Sequence, residues 1–222
     1  MVAMINKKIL IVSSYPIKNP VYGGQKRANA TFEFYKTIFS EVKFVAVFQK
    51  DFYQDYGADD IYCQQLDIVE KIFKMPYASD LISGKAIKND VYVRSRMANL
   101  LREYKPDIIQ IEQIYPYLGL EPLLRELNLT PKIILSSHNI ESRMKVEIYK
   151  SLKLPTRTRA TLSRQIEQLE SKISRDADLT IAISAANARA HKSMGAKRCI
   201  VIPNGPDKVA PSCQAVLFPC AG

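Results

Sequence analysis

Short apolar runs alternate with helical stripes along this chain. Lys8–Ser13 (KILIVS) is apolar and β-branched, ends at a Tyr15-Pro16 turn, and predicts a buried strand. A loop with Pro16, Pro20, Gly23 and Gly24 follows. Ala28, Phe32, Tyr35 and Phe39 then recur at spacings of 4, 3 and 4, one face of a helix. Val42–Phe48 (VKFVAVF) predicts a second strand. Strand, loop, helix, strand is the unit of a parallel sheet.

The pattern continues after a less regular stretch over residues 51–84, where one short helix is expected around Gln64–Phe73. Lys85–Tyr104 predicts a helix stopped by Pro106, Asp107–Ile111 a strand, Tyr117–Asn128 a leucine-rich helix and Lys132–Ser137 a strand. Helical periodicity runs from Glu141 to Arg175, broken near Pro155, with Leu162, Ile166, Leu169 and Ile173 as its apolar stripe. Leu179–Ile183 predicts a strand, Ala185–Met194 a helix ending at Gly195, and Cys199–Ile202 a last strand closed by Pro203. Six strand runs between helices imply an α/β fold: a Rossmann-like, doubly wound parallel sheet with helices on both faces. Ala215–Phe218 (AVLF) predicts one more strand with no helix after it.

Composition narrows the class. With 222 residues, 47% hydrophobic and 24% charged, the chain has a globular composition and can bury a core without staples. No run approaches the roughly 18 apolar residues of a membrane span. Ile9–Val12 is too short for a signal peptide, so a cytoplasmic location is expected. Cys63, Cys199, Cys213 and Cys220 form no C-x-x-C pair, and the chain has only 2 histidines, so reduced cysteines and no metal are expected. The net charge of +10 is concentrated in residues 1–50 and 151–222. A basic surface attracts phosphates of nucleotides, lipids or nucleic acids. Nine basic residues stand against three acidic ones between Arg143 and Arg175. A peripheral contact with an anionic membrane is one reading of that stretch; a core-packed helix with a solvated basic face is the other. No RNP pattern or helix-turn-helix points to nucleic acid.

In doubly wound sheets the ligand lies beyond the carboxyl ends of the strands. That rule singles out four loops: Ser14–Gly24, Glu112–Tyr117, His138–Arg143 and Ser184–Asn187. Gly23-Gly24 opens the first helix, where free N–H groups and close backbone approach suit a phosphate, with Lys26 and Arg27 adding charge. The plain alternative is a tight turn. Neither G-x-G-x-x-G nor G-x-x-x-x-G-K-[ST] is present, which argues against a dinucleotide enzyme and a P-loop NTPase. His138 could donate to a sugar hydroxyl or a phosphate oxygen, shuttle a proton, or cap the next helix. Glu112 points into the same mouth, with Glu141 as a second acid at unknown distance. Ser184 is expected as a helix cap and His191 as a surface histidine.

Five segments together resemble a known family. They are KILIVSSYP followed by YGGQKR (Lys8–Arg27), KPDIIQIEQ (Lys105–Gln113), KIILSSHNIESR (Lys132–Arg143), LESKISRDADLTIAISAANA (Leu169–Ala188) and GAKRCIVIPNGPD (Gly195–Asp207). The chain resembles the N-terminal half of a GT-B glycosyltransferase of the family 4 type. Those are retaining enzymes that use nucleotide-sugar donors. The resemblance spans about residues 8–207 and is weakest over 51–104. It implies that Gly23 and Gly24 lie against the donor diphosphate and that His138 contacts the donor sugar near the reacting centre. Tyr15, Lys26, Arg27, Glu112, Asn139, Glu141 and Arg143 fall on the acceptor side by position, and Asn204-Gly205 lead into the hinge. It also implies no metal, a saccharide or lipid-linked acceptor, and a nucleotide-holding second domain. That domain is missing here, so residues 1–205 would be the acceptor-side domain, residues 206–222 a truncated linker, and the chain alone inactive. A natural fragment, a frameshift product, a cut piece or one half of a split enzyme all fit. Two other readings stand beside this one: a non-catalytic basic α/β module that binds a phosphate ligand or a partner protein, and a sugar-nucleotide epimerase of the same architecture.

Overall fold

The computed structural model describes residues 4–63, 79–152 and 154–205. The expected helix at Gln64–Phe73, the expected strand at Ala215–Phe218, Cys213, Cys220 and the residues 206–222 assigned to a linker lie outside the described residues. Seven parallel strands form one sheet: β1 (Ile5–Ser13), β2 (Phe39–Gln49), β3 (Ile61–Cys63), β4 (Ile108–Glu112), β5 (Lys132–Ser137), β6 (Leu179–Ala182) and β7 (Cys199–Val201). Their order is β3-β2-β1-β4-β5-β6-β7, so the chain starts in the middle and winds outward in both directions. The helices are α1 (Gly23–Lys36), α2 (Ser79–Asn89), α3 (Val91–Tyr104), α4 (Tyr117–Glu126), α5 (Glu141–Ser151), α6 (Thr156–Asp176) and α7 (Ala185–Ser193). This is the expected Rossmann-like α/β architecture.

Strand positions are fixed partly by aspartates that precede β3, β4 and β6. The Asp107 carboxylate, just before β4, accepts the Lys8 N–H of β1 at 2.9 Å. Asp178, just before β6, accepts the Ile133 N–H of β5 at 2.9 Å. Asp60, just before β3, accepts the Ala46 N–H of β2 at 2.7 Å. Each carboxylate serves an amide of the neighbouring strand through a charge-assisted bond. The Lys7 ammonium, and after it the Lys8 amide, hold the Asp107 carboxyl below its usual range.

One face of the sheet carries Leu10, Val12, Ile109, Ile111, Ile133 and Leu135 into the main core, beneath α2, α3, α4 and α6. The predicted stripe Leu162, Ile166, Leu169 and Ile173 is buried in that core, so the apolar side of α6 covers the sheet. On the opposite face α1 packs on β2, with Phe32 edge-on to Phe44 at 5.9 Å.

Three boundaries differ from expectation. Phe39 begins β2 instead of ending α1, because the chain leaves the helix at Thr37. The single helix expected at Lys85–Tyr104 is two, because the Asp90 side chain accepts the Val93 N–H and caps a new start. β3 is a three-residue edge strand, too short to show a period. The end of α3 does follow the Lys105-Pro106 signal: Lys105 takes the left-handed conformation at φ 49°.

Gly84 and Gly119 let α2 and α4 cross closely. A Cβ on Gly119 would sit 2.5 Å from the Ile87 Cβ and 2.7 Å from the Gly84 carbonyl oxygen. Gly119→Ala should therefore lower stability by about 3 kcal/mol through overpacking against backbone. Urea unfolding checks this: the midpoint should fall while the slope stays the same.

Candidate functional site

The site begins with the alternation in β4. In Ile108–Glu112 (IIQIE), Ile109 and Ile111 face the core, so Gln110 and Glu112 face the α1 side. Parallel pairing sets Glu112 beside Ser136 of β5. His138 follows two residues later and reaches back across the strand ends, its Nε2 2.7 Å from the Glu112 Oε2. Glu112 is fully buried and His138 is 8% exposed, so the pair is a buried one with an edge at the surface.

A hydrogen-bonded line leads into that pair. Tyr35 of α1 donates its hydroxyl to Gln110 Oε1 at 2.5 Å, and Gln110 Nε2 donates to Glu112 Oε1 at 2.5 Å. Both Glu112 oxygens are thereby occupied, and the His138 Nε2 carries the proton it shares with the carboxylate. His138 Nδ1 faces the other way, toward α1: a Cβ on Gly24 would lie 3.3 Å from it and 3.1 Å from the Tyr15 hydroxyl. Any side chain at 24 would enter this gap. Burial, with the Glu112 carboxylate adding to it, pushes the Tyr35 phenol up to about 12.

Gln113 continues the turn in the left-handed region, φ 63°, an uncommon state for a residue with a Cβ. Its amide N–H donates to the Ser136 carbonyl, and its Oε1 accepts from the Ser14 hydroxyl at 3.1 Å. The ends of β1, β4 and β5 are thus tied together. Beside them lies a cavity of about 640 Å³ whose wall includes Lys26, Arg27, Tyr35, Gln110, Ser136 and Asn204.

Of the residues singled out by sequence, Tyr15, Gly24, Glu112 and His138 converge. Gly23 opens α1 and Lys26 is exposed one turn on. Arg27 is tied to the segment after β7: its Nη1 donates to the Ile202 carbonyl at 3.1 Å and to Asn204 Oδ1 at 2.8 Å. Asn139 is partly buried and Arg143 is exposed. Glu141, expected on the acceptor side, is buried at the start of α5. Its carboxylate is 1% exposed and accepts the Tyr115 hydroxyl at 2.6 Å, because α5 turns that side chain inward. Ser184 caps α7 as expected, accepting the Asn187 N–H at 3.1 Å.

His191 is a further correction. It is fully buried, not at the surface. Its Nδ1 lies 2.9 Å from Ser174 Oγ of α6 and its Nε2 2.7 Å from Ser137 Oγ of β5. Glu170, one turn before Ser174, accepts the N–H groups of Glu141 (2.6 Å) and Ser142 (3.0 Å) and so caps α5. Sequence did hold a signal for this cluster. Ala188 and His191 share a face of α7 at spacing 3, while Ile166, Glu170 and Ser174 share one of α6 at spacing 4. Among the described residues no cluster of three or more His, Cys, Asp or Glu side chains could hold a metal ion. No described helix is long and apolar enough to cross a membrane.

The family model for Glycosyltransferase Family 4 matches residues 61–208, more than half of the chain. The chain belongs to glycosyltransferase family 4. No curated protein matches it significantly. Solved structures that match include a lipopolysaccharide outer core galactosyltransferase, WaaB, at 13% identity and a TM-score of 0.47, covering 88% of this chain and 45% of that one. Anabaena HepE in complex with UDP-glucose matches at 15% identity and a TM-score of 0.47, covering 93% and 47%. A UDP-glucosyltransferase from Polygonum tinctorium matches at 12% identity and a TM-score of 0.47, covering 98% and 56%. The chain thus spans about half the length of these proteins.

Burial holds the His191 imidazole down at about 4, against 6.5 for an unhindered ring. Between those values the unfolded chain binds a proton that the folded one does not, so stability falls as pH drops from 6.5 to 4. The window is worth about 3 kcal/mol. A His191→Gln chain, which cannot titrate there, should lose correspondingly less over the same range in urea unfolding.

Proposed function

We propose that this chain is the acceptor-side, N-terminal half of a retaining glycosyltransferase that moves a sugar from a nucleotide-sugar donor to a saccharide or lipid-linked acceptor. Family membership supports the reaction class. The observation that carries the assignment of the site is the Glu112–His138 pair at the carboxyl ends of β4 and β5, with its free Nδ1 aimed at the start of α1. Glu112 fixes which ring nitrogen holds the proton, so Nδ1 presents a lone pair to a donor-sugar hydroxyl. The absence of a side chain on Gly24 lets the start of α1 come close to the Tyr15 hydroxyl and the His138 ring, and the N–H groups at Gly23 and Gly24 face the diphosphate. Lys26 and Arg143, both exposed, flank the acceptor's path. Arg27 holds the segment at Asn204 against α1 and lines the cavity beside it.

The bond broken joins the anomeric carbon to the diphosphate oxygen; the bond formed joins that carbon to the acceptor oxygen on the same face. The leaving diphosphate takes the bonding pair and the proton that the acceptor hydroxyl gives up, and a second domain stabilises its remaining charge. Transfer therefore needs both domains closed on the donor, and residues 1–222 alone turn over no sugar. No metal is assigned a role. The basic stretch from Arg143 to Arg175 is proposed to meet a lipid-linked acceptor's anionic surface, and the protein to work on the cytoplasmic side.

UDP-glucose and GDP-mannose are suitable probes, followed by chemical-shift changes in the isotopically labelled protein in its two-domain form. One of them should shift the Gly24 and His138 resonances, and His138→Ala should weaken binding about 10- to 100-fold, the cost of one buried hydrogen bond. No shift at either position with any nucleotide sugar would remove the site assignment. Conversion of donor without acceptor would favour an epimerase, and retained function in His138→Ala a non-catalytic module.

A further inference from the structure

Proton counting around His191 leads to a role beyond packing. The ring lies between two hydroxyls, and each hydroxyl also faces a carbonyl. Ser137 Oγ is 2.7 Å from the Asn139 carbonyl oxygen, and Ser174 Oγ is 2.7 Å from the Glu170 carbonyl oxygen. Ser174 Oγ has a weaker neighbour as well, Met194 Sδ at 3.8 Å. A hydroxyl has one proton and a neutral imidazole has one N–H. Three protons must serve four contacts, and with both ring nitrogens within 2.9 Å of a hydroxyl, the contact left without a proton is to a carbonyl. Which one it is depends on the tautomer.

With the proton on Nδ1, the ring donates to Ser174, Ser174 donates to the Glu170 carbonyl, and Ser137 must turn its proton to Nε2. The Asn139 carbonyl is then released. With the proton on Nε2, the ring donates to Ser137, Ser137 donates to the Asn139 carbonyl, and Ser174 turns to Nδ1. The Glu170 carbonyl is then released. The two losses are unequal. Glu170 lies inside α6, where the amide four residues on already serves its carbonyl. Asn139 lies in the turn before α5, and the Ser137 hydroxyl is the contact its carbonyl makes there.

We propose that His191 is a positioning residue: held as the Nε2–H tautomer, it directs the Ser137 hydroxyl onto the Asn139 carbonyl and so fixes the turn that carries His138. Glu170 holds the far end of the same turn through the Glu141 and Ser142 amides. The turn is pinned on both sides by buried groups. The importance of a fixed His138 rests on the site assignment above; the tautomer and the clamp do not.

Both can be read on the chain with no sugar nucleotide present, so their failure is separate from failure of the site assignment. Long-range proton–nitrogen correlation on the 15N-labelled protein near neutral pH should show a protonated Nε2 and an unprotonated Nδ1 for His191. The reverse would overturn the proposal. Glutamine places its amide nitrogen near the Nε2 position and asparagine near Nδ1. His191→Gln should keep the His138 ring signals and slow exchange at the Glu141 and Ser142 amides. His191→Asn, equally polar and neutral, should raise exchange at those amides about tenfold. Equal effects of the two would reduce His191 to packing. If neither variant folds, Ser137→Ala removes the hydroxyl and leaves the ring in place. The same loss of protection is then expected, and unchanged exchange would overturn the clamp.

Discussion

The register of β4 against β5 is the constraint on which the rest depends. Glu112 stands beside Ser136, and His138 can reach Glu112 only because it lies two residues past that partner. A slip of one residue would put Ile111 and Ile109 on the α1 side and bury Glu112 among the leucines of the other. Hydrophobic burial alone opposes that slip, since Ile109, Ile111, Ile133 and Leu135 belong to one core. The aspartates at the amino ends add a second lock. Asp107 precedes β4 and Asp178 precedes β6, and each holds an amide of the adjacent strand. The carboxyl ends, where Glu112 and His138 meet, are thus aligned by charges at the opposite edge of the sheet.

Among the described residues, two sets of buried polar groups form connected lines at the carboxyl ends of the strands. One runs from Tyr35 through Gln110 and Glu112 to His138. The other runs from Glu170 and Ser174 through His191 to Ser137. Unpartnered polar atoms in a core are costly, so each member must be oriented by the next. The lines meet at the chain itself, since Ser137 and His138 are adjacent. One line sets the ring of His138, and the other sets the backbone on which that ring is mounted. A change in either would be felt at the same atom.

The strand runs were legible because burial on both faces leaves an unbroken apolar signature, as in KILIVS and KIILSS. β3 was not, since three residues carry no period. Gly24, His138 and Glu112 were legible through topology: ligands gather at the carboxyl edge, and those residues end strands or begin a helix there. Burial of single polar residues was harder to see. His191 beside Lys192 looks like a surface residue, and only the neighbouring alanines mark that face as inward. The burial of Glu141 was hidden for the opposite reason. Glu141 sits beside a promising histidine in sequence, but 100° of helical rotation per residue turns it toward Tyr115.

The two histidines show how little the residue type decides by itself. His138 faces a carboxylate, and its other nitrogen opens on the gap at Gly24. His191 faces two hydroxyls and has no exposed edge. A carboxylate can balance an imidazolium charge directly; hydroxyls offer only dipoles, and burial then keeps the ring neutral at physiological pH. A neutral ring with two hydroxyl partners is a sorting device for protons, because it must donate on one side and accept on the other. A ring against a carboxylate is committed on one side and available on the other. The first suits holding a turn and the second suits meeting a ligand. The chain places them fifty-three residues apart, yet one hydroxyl from each other.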